Sequence, residues 1–277
     1  MTDLSVEQYQ RLSQKVYQKL GLHFDEKKVY FMRTRVAKRM QALGLEDPKD
    51  YLFALNYADP TGVEMQALAN LITTNETYMF REYDQLQGFA NFCLPEVLSA
   101  KQERGEKKLR IWCAGCSSGE EAYTLAMLVQ DVFPQIHSWA CEIVATDIDE
   151  NMLLKTKAAR YGERAVHDVP HDFREKYLVS SGGEYTVRQR TAALVQIRHL
   201  NLSDRMAMRE MRGFDFIFCR NVLIYFDDLS RKAVVDHFYN GLNRGGYIFL
   251  GHSESVGRIN PAFRLKKFEQ HLVYTKD

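Results

Sequence analysis

The apolar positions along this chain change period once, near residue 75. Before that point they recur at helical spacing: Ser5 to Leu20, Asp25 to Leu43, and a stretch opened by Pro48 read as helices, the first two closed by Gly21 and Gly44. On a wheel of about 100° per residue, Val29, Met32, Val36, Met40 and Leu43 form one apolar stripe. Beyond it, short apolar runs alternate with amphipathic helical stretches. Leu109 to Cys113, Glu142 to Thr146, Val195 to His199, Phe214 to Cys219 and Tyr247 to Leu250 read as core strands, with helices Glu120 to Phe133, Glu150 to Arg160 and Asp227 to Leu242 between them. The run F-D-F-I-F-C at 214–219 is nearly all apolar, as a central parallel strand requires. Residues 161–200 are too long for a simple crossover. Within them Lys176 to Val179 and Glu184 to Val187 flank Ser180 to Gly183, which predicts a small antiparallel hairpin. Phe263 to Phe268 and His271 to Thr275 form a closing hairpin.

The predicted architecture is α/β: a doubly wound, Rossmann-like sheet over 109–277 with an antiparallel β insert within 161–194. An all-helical N-terminal domain, 1–75, precedes it, joined by an inter-domain segment, 76–108, whose end, Lys101 to Lys108, reads as an exposed connector.

Composition narrows the functional classes. The chain has 277 residues, 45% hydrophobic and 26% charged, with a net charge of +1, so no global field draws it to nucleic acid or membrane. No apolar run reaches the roughly 18 residues of a membrane span. Residues Met1 to Ser5 do not begin an export signal, so a cytoplasmic protein is expected. The five cysteines are expected to be reduced thiols; the single C-x-x-C, Cys113 and Cys116, has no second pair, and no metal site is expected.

The chemistry concentrates at I-W-C-A-G-C-S-S-G-E-E-A-Y, residues 111–123, where a strand passes through a small-residue loop into a helix. Such a loop lets a ligand approach the backbone. Glu120 and Glu121 follow at the helix N-terminus, where a pyrophosphate would sit in a dinucleotide site and be repelled. They suit a ligand with a positive group, such as the ammonium of S-adenosylmethionine, although acids in a first helical turn also simply complement the dipole. Asp147, ending the second strand, is the ribose candidate, and Asp149 reads as a helix N-cap. On the second helix Lys27, Lys28, Arg35, Lys38 and Arg39 share a cationic face, either merely solvated or a dock for an acidic partner. On the docking reading, reversing Arg35 and Arg39 to Glu weakens partner engagement without unfolding the domain.

Five motifs in order then resemble one family. T-T-N-E-T-Y-M-F-R-E at 73–82, S-S-G-E-E-A-Y at 117–123, T-D-I-D at 146–149, F-C-R-N-V-L-I-Y-F at 218–226 and G-H-S-E at 251–254 together resemble CheR, the chemotaxis receptor methyltransferases. The resemblance implies a methyltransferase sheet that takes S-adenosylmethionine and releases S-adenosylhomocysteine. It implies cofactor contacts from Asn75, Thr77, Arg81, Glu121, Asp147, Asn201, Leu202, Arg220 and Asn221, with Tyr225 in the active site. The implied substrates are glutamate side chains on the cytoplasmic helices of chemoreceptors, with no nucleic-acid partner and no membrane insertion; a monomer is expected. Lys28, Arg35, Lys38 and Arg39 are then the substrate-docking candidates. Some family members carry a longer glycine-containing loop in the insert, associated with a receptor's C-terminal pentapeptide; Ser180 to Gly183 is short, which implies the pentapeptide-independent kind.

A glutamate acceptor is ionised at neutral pH and needs no general base, in keeping with a site showing no positioned His or Lys. Arg81 and Tyr225 are the candidates for holding the carboxylate. Three other classes compete. A nucleic-acid methyltransferase usually shows N-P-P-Y or D-P-P-Y where this chain has R-N-V-L-I-Y. A serine hydrolase at Gly251 to Ser255 lacks the second glycine of a nucleophile elbow. A module that only senses the cofactor would bind without turnover.

Overall fold

The computed structural model describes residues 4–255, 257, 259–269 and 271–277; residues 1–3, part of the stretch read above as no export signal, lie outside them. The N-terminal pattern gives four helices, α1 (Val6–Leu20), α2 (Val29–Leu43), α3 (Pro48–Tyr57) and α4 (Val63–Ile72). Ser5 caps α1 through a reciprocal capping box with Gln8, and Gly21 ends it in the left-handed region. Asp25 precedes a 3-10 turn, Glu26–Lys28, rather than α2 itself. Of the stripe on α2, Met32, Val36 and Met40 are buried, whereas Leu43 at its end is exposed.

The inter-domain segment is more helical than its polar composition suggests. α5 (Tyr83–Gly88) continues through a π-helical turn, Phe89–Cys93, into α6 (Leu94–Glu103). Lys101, expected in an exposed connector, lies in α6 and is buried, its ammonium 2.9 Å from Asp215. The acid that holds it is 114 positions away, too far for local composition to reveal.

The sheet strands are β1 (Lys108–Ala114), β2 (Ala140–Asp147), β3 (Arg160–Gly162), β4 (Leu178–Ser181), β5 (Glu184–Val187), β6 (Val195–His199), β7 (Phe214–Cys219), β8 (Leu242–Leu250), β9 (Arg264–Phe268) and β10 (His271–Thr275). Seven of them form one sheet in the order β6-β2-β1-β7-β8-β10-β9. Its first five strands are parallel, and β10 and β9 add antiparallel. The insert is a separate antiparallel sheet, β3-β5-β4. Its hairpin register is shifted from expectation because Lys176 and Tyr177 belong to a helix, His171–Tyr177, so β4 begins at Leu178. Gly182 and Gly183, both at positive φ, make the two-residue turn.

Side-chain alternation along β1 divides the core. Leu109, Ile111 and Cys113 face one cluster with the helices α5 to α7, the last being α7 (Glu120–Val132), while Trp112 and Ala114 face the other. That second cluster is continuous with the interior of the N-terminal bundle, from Leu12 and Met32 through Leu68 to Trp112 and Phe238. The bundle is therefore packed on one face of the sheet.

This packing uses one of the cationic residues. Arg39 donates to Glu64 with two nitrogens, at 2.9 and 2.7 Å, and the buried Tyr51 hydroxyl donates to the same carboxylate at 2.8 Å. Arg39, expected to serve docking and to tolerate reversal, is thus already paired with a carboxylate of the bundle, joining α2 to α4. Arg39→Glu is expected to cost about 2–3 kcal/mol, a partly buried pair discounted for its exposure. Lys38→Glu, at an exposed position, is expected to leave stability unchanged. Urea unfolding of the two variants checks this; equal midpoints would contradict it.

Candidate active site

The parallel strands β1 and β7 are neighbours whose connections leave in opposite directions, and a cleft opens where they diverge, beyond their carboxyl ends. It is a cavity of about 250 Å3. Its walls come from the α1–α2 link, the segment after α4, the turn after β1, and the segments following β2, β6 and β7.

The turn after β1 is held against the end of β2 by its amides. Gly115 and Cys116 donate to the Thr146 carbonyl at 2.8 and 2.9 Å, and Ser117 donates to Oδ2 of Asp147 at 2.7 Å. Gly115 sits at φ 79°, and a Cβ there would lie 2.5 Å from Cγ2 of Val222 in the opposite wall. Only glycine permits this closeness.

All nine residues expected to contact the cofactor line the cavity: Asn75, Thr77, Arg81, Glu121, Asp147, Asn201, Leu202, Arg220 and Asn221, and Tyr225 with them. Many of their polar groups are fixed by the protein itself. Asp147 accepts from Ser117 with one oxygen and from the Asp149 amide, at 2.9 Å, with the other. A carboxylate has about four acceptor sites, so each oxygen keeps one for a ligand hydroxyl. Burial pushes the Asp147 carboxyl up from its ordinary value, against the pull of those amide donors. Asp149 caps the helix Glu150–Ala158, as expected, and also accepts from Thr73 and Asn75, tying the inter-domain segment to the sheet. Asn201 donates to the Lys19 carbonyl at the end of α1.

The two glutamates after the turn have separate fates. Glu120 is buried outside the cavity, its two oxygens 2.9 and 2.8 Å from the Ser118 hydroxyl, and burial raises its carboxyl. Its expected place facing a positive ligand is corrected: successive side chains on a helix point about 100° apart, so only one of the pair can face the cleft. Glu121 does face it, 3.4 Å from Nη1 of Arg220. Arg220, 3% exposed, also stands 3.4 Å from Glu82 and donates to the Arg81 carbonyl. One guanidinium between two carboxylates leaves the cluster with a formal surplus of one negative charge. Arg220 Nε, a donor, and Glu82 Oε2, an acceptor, are both buried and have no hydrogen-bond partner among the described residues.

His23 and Phe24 of the α1–α2 link also line the cavity, and nothing in their local sequence marks them. Phe24 stacks on Phe31 at 6.1 Å, and the Arg35 guanidinium lies 3.8 Å above Phe31. Arg35 also donates to the Leu71 carbonyl at 3.4 Å, so it braces the cavity wall while remaining part-exposed. Lys28 and Lys38 are exposed. None of the four docking candidates lines the cavity. In the G-H-S-E segment His252 and Ser253 are exposed and no helix follows among the described residues, which lack the strand–turn–helix context of a nucleophile elbow. Among the described residues no group of three or more His, Cys, Asp or Glu side chains could hold a metal ion, and no helix is long and apolar enough to cross a membrane.

The strand order and the cavity at its switch point agree with what the family models show, an S-adenosylmethionine-dependent methyltransferase. Residues 75–272 match the family model of the CheR methyltransferase SAM-binding domain, and residues 7–73 that of the CheR methyltransferase all-alpha domain. The chain belongs to the CheR methyltransferase family. It is 36% identical to chemotaxis protein methyltransferase 2 of Vibrio cholerae over 94% of this chain and 89% of the relative. It is 31% identical to the chemotaxis protein methyltransferase of Borreliella burgdorferi, over 92% and 90%. With that of Escherichia coli it shares 32% identity over 95% and 89%.

Gly115→Ala is expected to weaken S-adenosylhomocysteine binding at least tenfold, because the added methyl displaces Val222 and demands an unfavourable φ costing about 1–3 kcal/mol. Calorimetric titration checks this; unchanged affinity would show that the turn does not shape the ligand site.

Proposed function

We propose that this protein transfers the methyl group of S-adenosylmethionine to glutamate side chains on the cytoplasmic helices of chemoreceptors, forming methyl esters. The observation carrying this reading is the negative surplus around Arg220 beside a cavity whose lining includes no lysine and only one histidine, the exposed His23. Cofactor chemistry supplies an electrophilic methyl on sulfur. The protein's residues have to align a nucleophile with it, and a carboxylate needs no proton removed.

In this reading Asp147 takes the ribose hydroxyls, Glu121 and Asn75 lie toward the methionyl end, and Asn201 and Leu202 line the adenine side. Arg220 and Asn221 complete the cofactor wall. Arg81 donates to the Glu76 carbonyl at 2.8 Å through Nη1, which leaves other guanidinium donors for a carboxylate of substrate or cofactor. Tyr225 offers a hydroxyl donor at the cavity wall while its backbone is fixed, its carbonyl accepting from His23 at 2.9 Å. Lys28 and Lys38, with Arg35 behind them, give acidic receptor helices a docking face. The two-residue turn at Gly182 and Gly183 supports pentapeptide-independent action, since it leaves no longer loop to frame a peptide; calorimetric binding of such a pentapeptide at micromolar concentration would oppose it. The relatives' chemotaxis names support the receptor target.

Incubated with labelled cofactor and receptor helix fragments, the protein is expected to attach label that mild alkali releases as methanol. The rate should rise as the acceptor ionises, near its pKa of about 4.3, and then stay level through neutrality. Alkali-stable label, or a rate that climbs through pH 7, would point to an amine or alcohol acceptor instead.

Arg81→Ala and Tyr225→Phe are each expected to slow single-turnover transfer roughly 10- to 100-fold with a smaller effect on cofactor affinity. Unaltered turnover in both would remove them from the catalytic role.

A further inference from the structure

The G-H-S-E segment has no part in the reading above, yet it lies beside the site. Strands β7 and β8 are parallel, with Cys219 opposite Leu250, so the residue after each, Arg220 and Gly251, leaves the sheet at the same edge. From there the β7 segment supplies Arg220, Asn221, Val222, Ile224 and Tyr225 to the cavity wall.

One side chain holds the two segments together. Oε2 of Glu254 accepts from the amides of Gly251, at 2.8 Å, and Asn221, at 2.9 Å; Oε1 accepts from the amide of Ile224 at 3.2 Å. The Glu254 amide closes the turn on the Gly251 carbonyl at 2.9 Å. Asn221 needs such support, being a non-glycine residue at φ 58°. Gly251 fits only without a side chain: a Cβ would stand 2.9 Å from the Asn221 amide and 3.0 Å from Oε2 of Glu254. An ionised acceptor taking three amides is stronger than neutral bonds would be. It spans the strained residue and the turn Leu223–Tyr225 that presents Tyr225.

We infer that Glu254 is a positioning residue for methyl transfer: its carboxylate gathers the amides of Gly251, Asn221 and Ile224 and thereby fixes the loop that carries Tyr225 into the cavity. The inference rests on the proposed role of Tyr225. Glutamine has nearly the same shape but presents an NH2 group at one end, where at least one of the three amide donors would be left without an acceptor. A displacement of about 1 Å in a loop of this kind is enough to cost roughly 100-fold in rate.

Glu254→Gln is therefore expected to slow single-turnover transfer to receptor helix fragments roughly 10- to 100-fold, with little change in KM for the fragment. Introduced into Tyr225→Phe, it should cost less than about threefold, because the group it positions has gone. A rate within about twofold of the parent, or an effect that simply multiplies that of Tyr225→Phe, would overturn the inference. Gly251→Ala moves the same loop without removing the charge and should reproduce the loss if Glu254→Gln fails to fold. Amide exchange on the unaltered protein provides an arm needing no acceptor: Asn221 and Ile224 should be protected, and exchange at free-peptide rates would refute the clamp. A protected loop in an enzyme inactive on receptor fragments would place the fault in the proposed substrate, not in the clamp.

Discussion

The site depends on how closely two backbones can approach where β1 and β7 part. The turn after β1 is fastened to β2 by three amides, and its Gly115 faces Val222 with no room for a methyl group. This contact brings the turn after β1 against the segment after β7 at the cavity that Glu121 lines. Asp147 is held by amides at the floor, and Arg220 is held between Glu121 and Glu82 in the wall. A buried guanidinium with two acids is costly to desolvate and gives little net stability, so its effect on the site lies in the field it leaves more than in holding the fold together.

That field distinguishes this cleft from others of the same topology. A nucleotide site presents free amides and a helix dipole to phosphate. Here one acid of the first helical turn faces the cavity and the other is turned away, and Glu121 and Glu82 together leave a charge of minus one once Arg220 is counted. The helical bundle reaches the cleft itself, because His23 and Phe24 from its first link line the cavity and its core is continuous with one face of the sheet.

Much of this was legible in the chain itself. The strand from Phe214 to Cys219 begins and ends where its apolar run does, because burial on both faces leaves nothing else for such a run to be. The expected cavity residues were legible as motifs; those after β1, β2, β6 and β7 converge because these parallel strands end at the same edge, and Asn75, Thr77 and Arg81 join them from the segment after α4. What could not be read depends on long-range partners. Arg39 looks like its neighbours on the α2 face until Glu64 is placed beside it, and Lys101 looks exposed until Asp215 meets it. Glu120 and Glu121 are alike in sequence and differ only by a rotation about the helix axis. Glu254 gave no local sign of its role, since its partners are amides, which every residue carries.

The central claim is that the cleft selects a cationic methyl donor over a phosphate-bearing nucleotide. Calorimetric titration of the full chain with S-adenosylmethionine, S-adenosylhomocysteine and ATP tests it most directly. The expected result is saturable one-to-one binding of the two sulfur compounds and no binding of ATP at the same concentrations. Saturable binding of ATP, with no heat from the sulfonium compound, would contradict it.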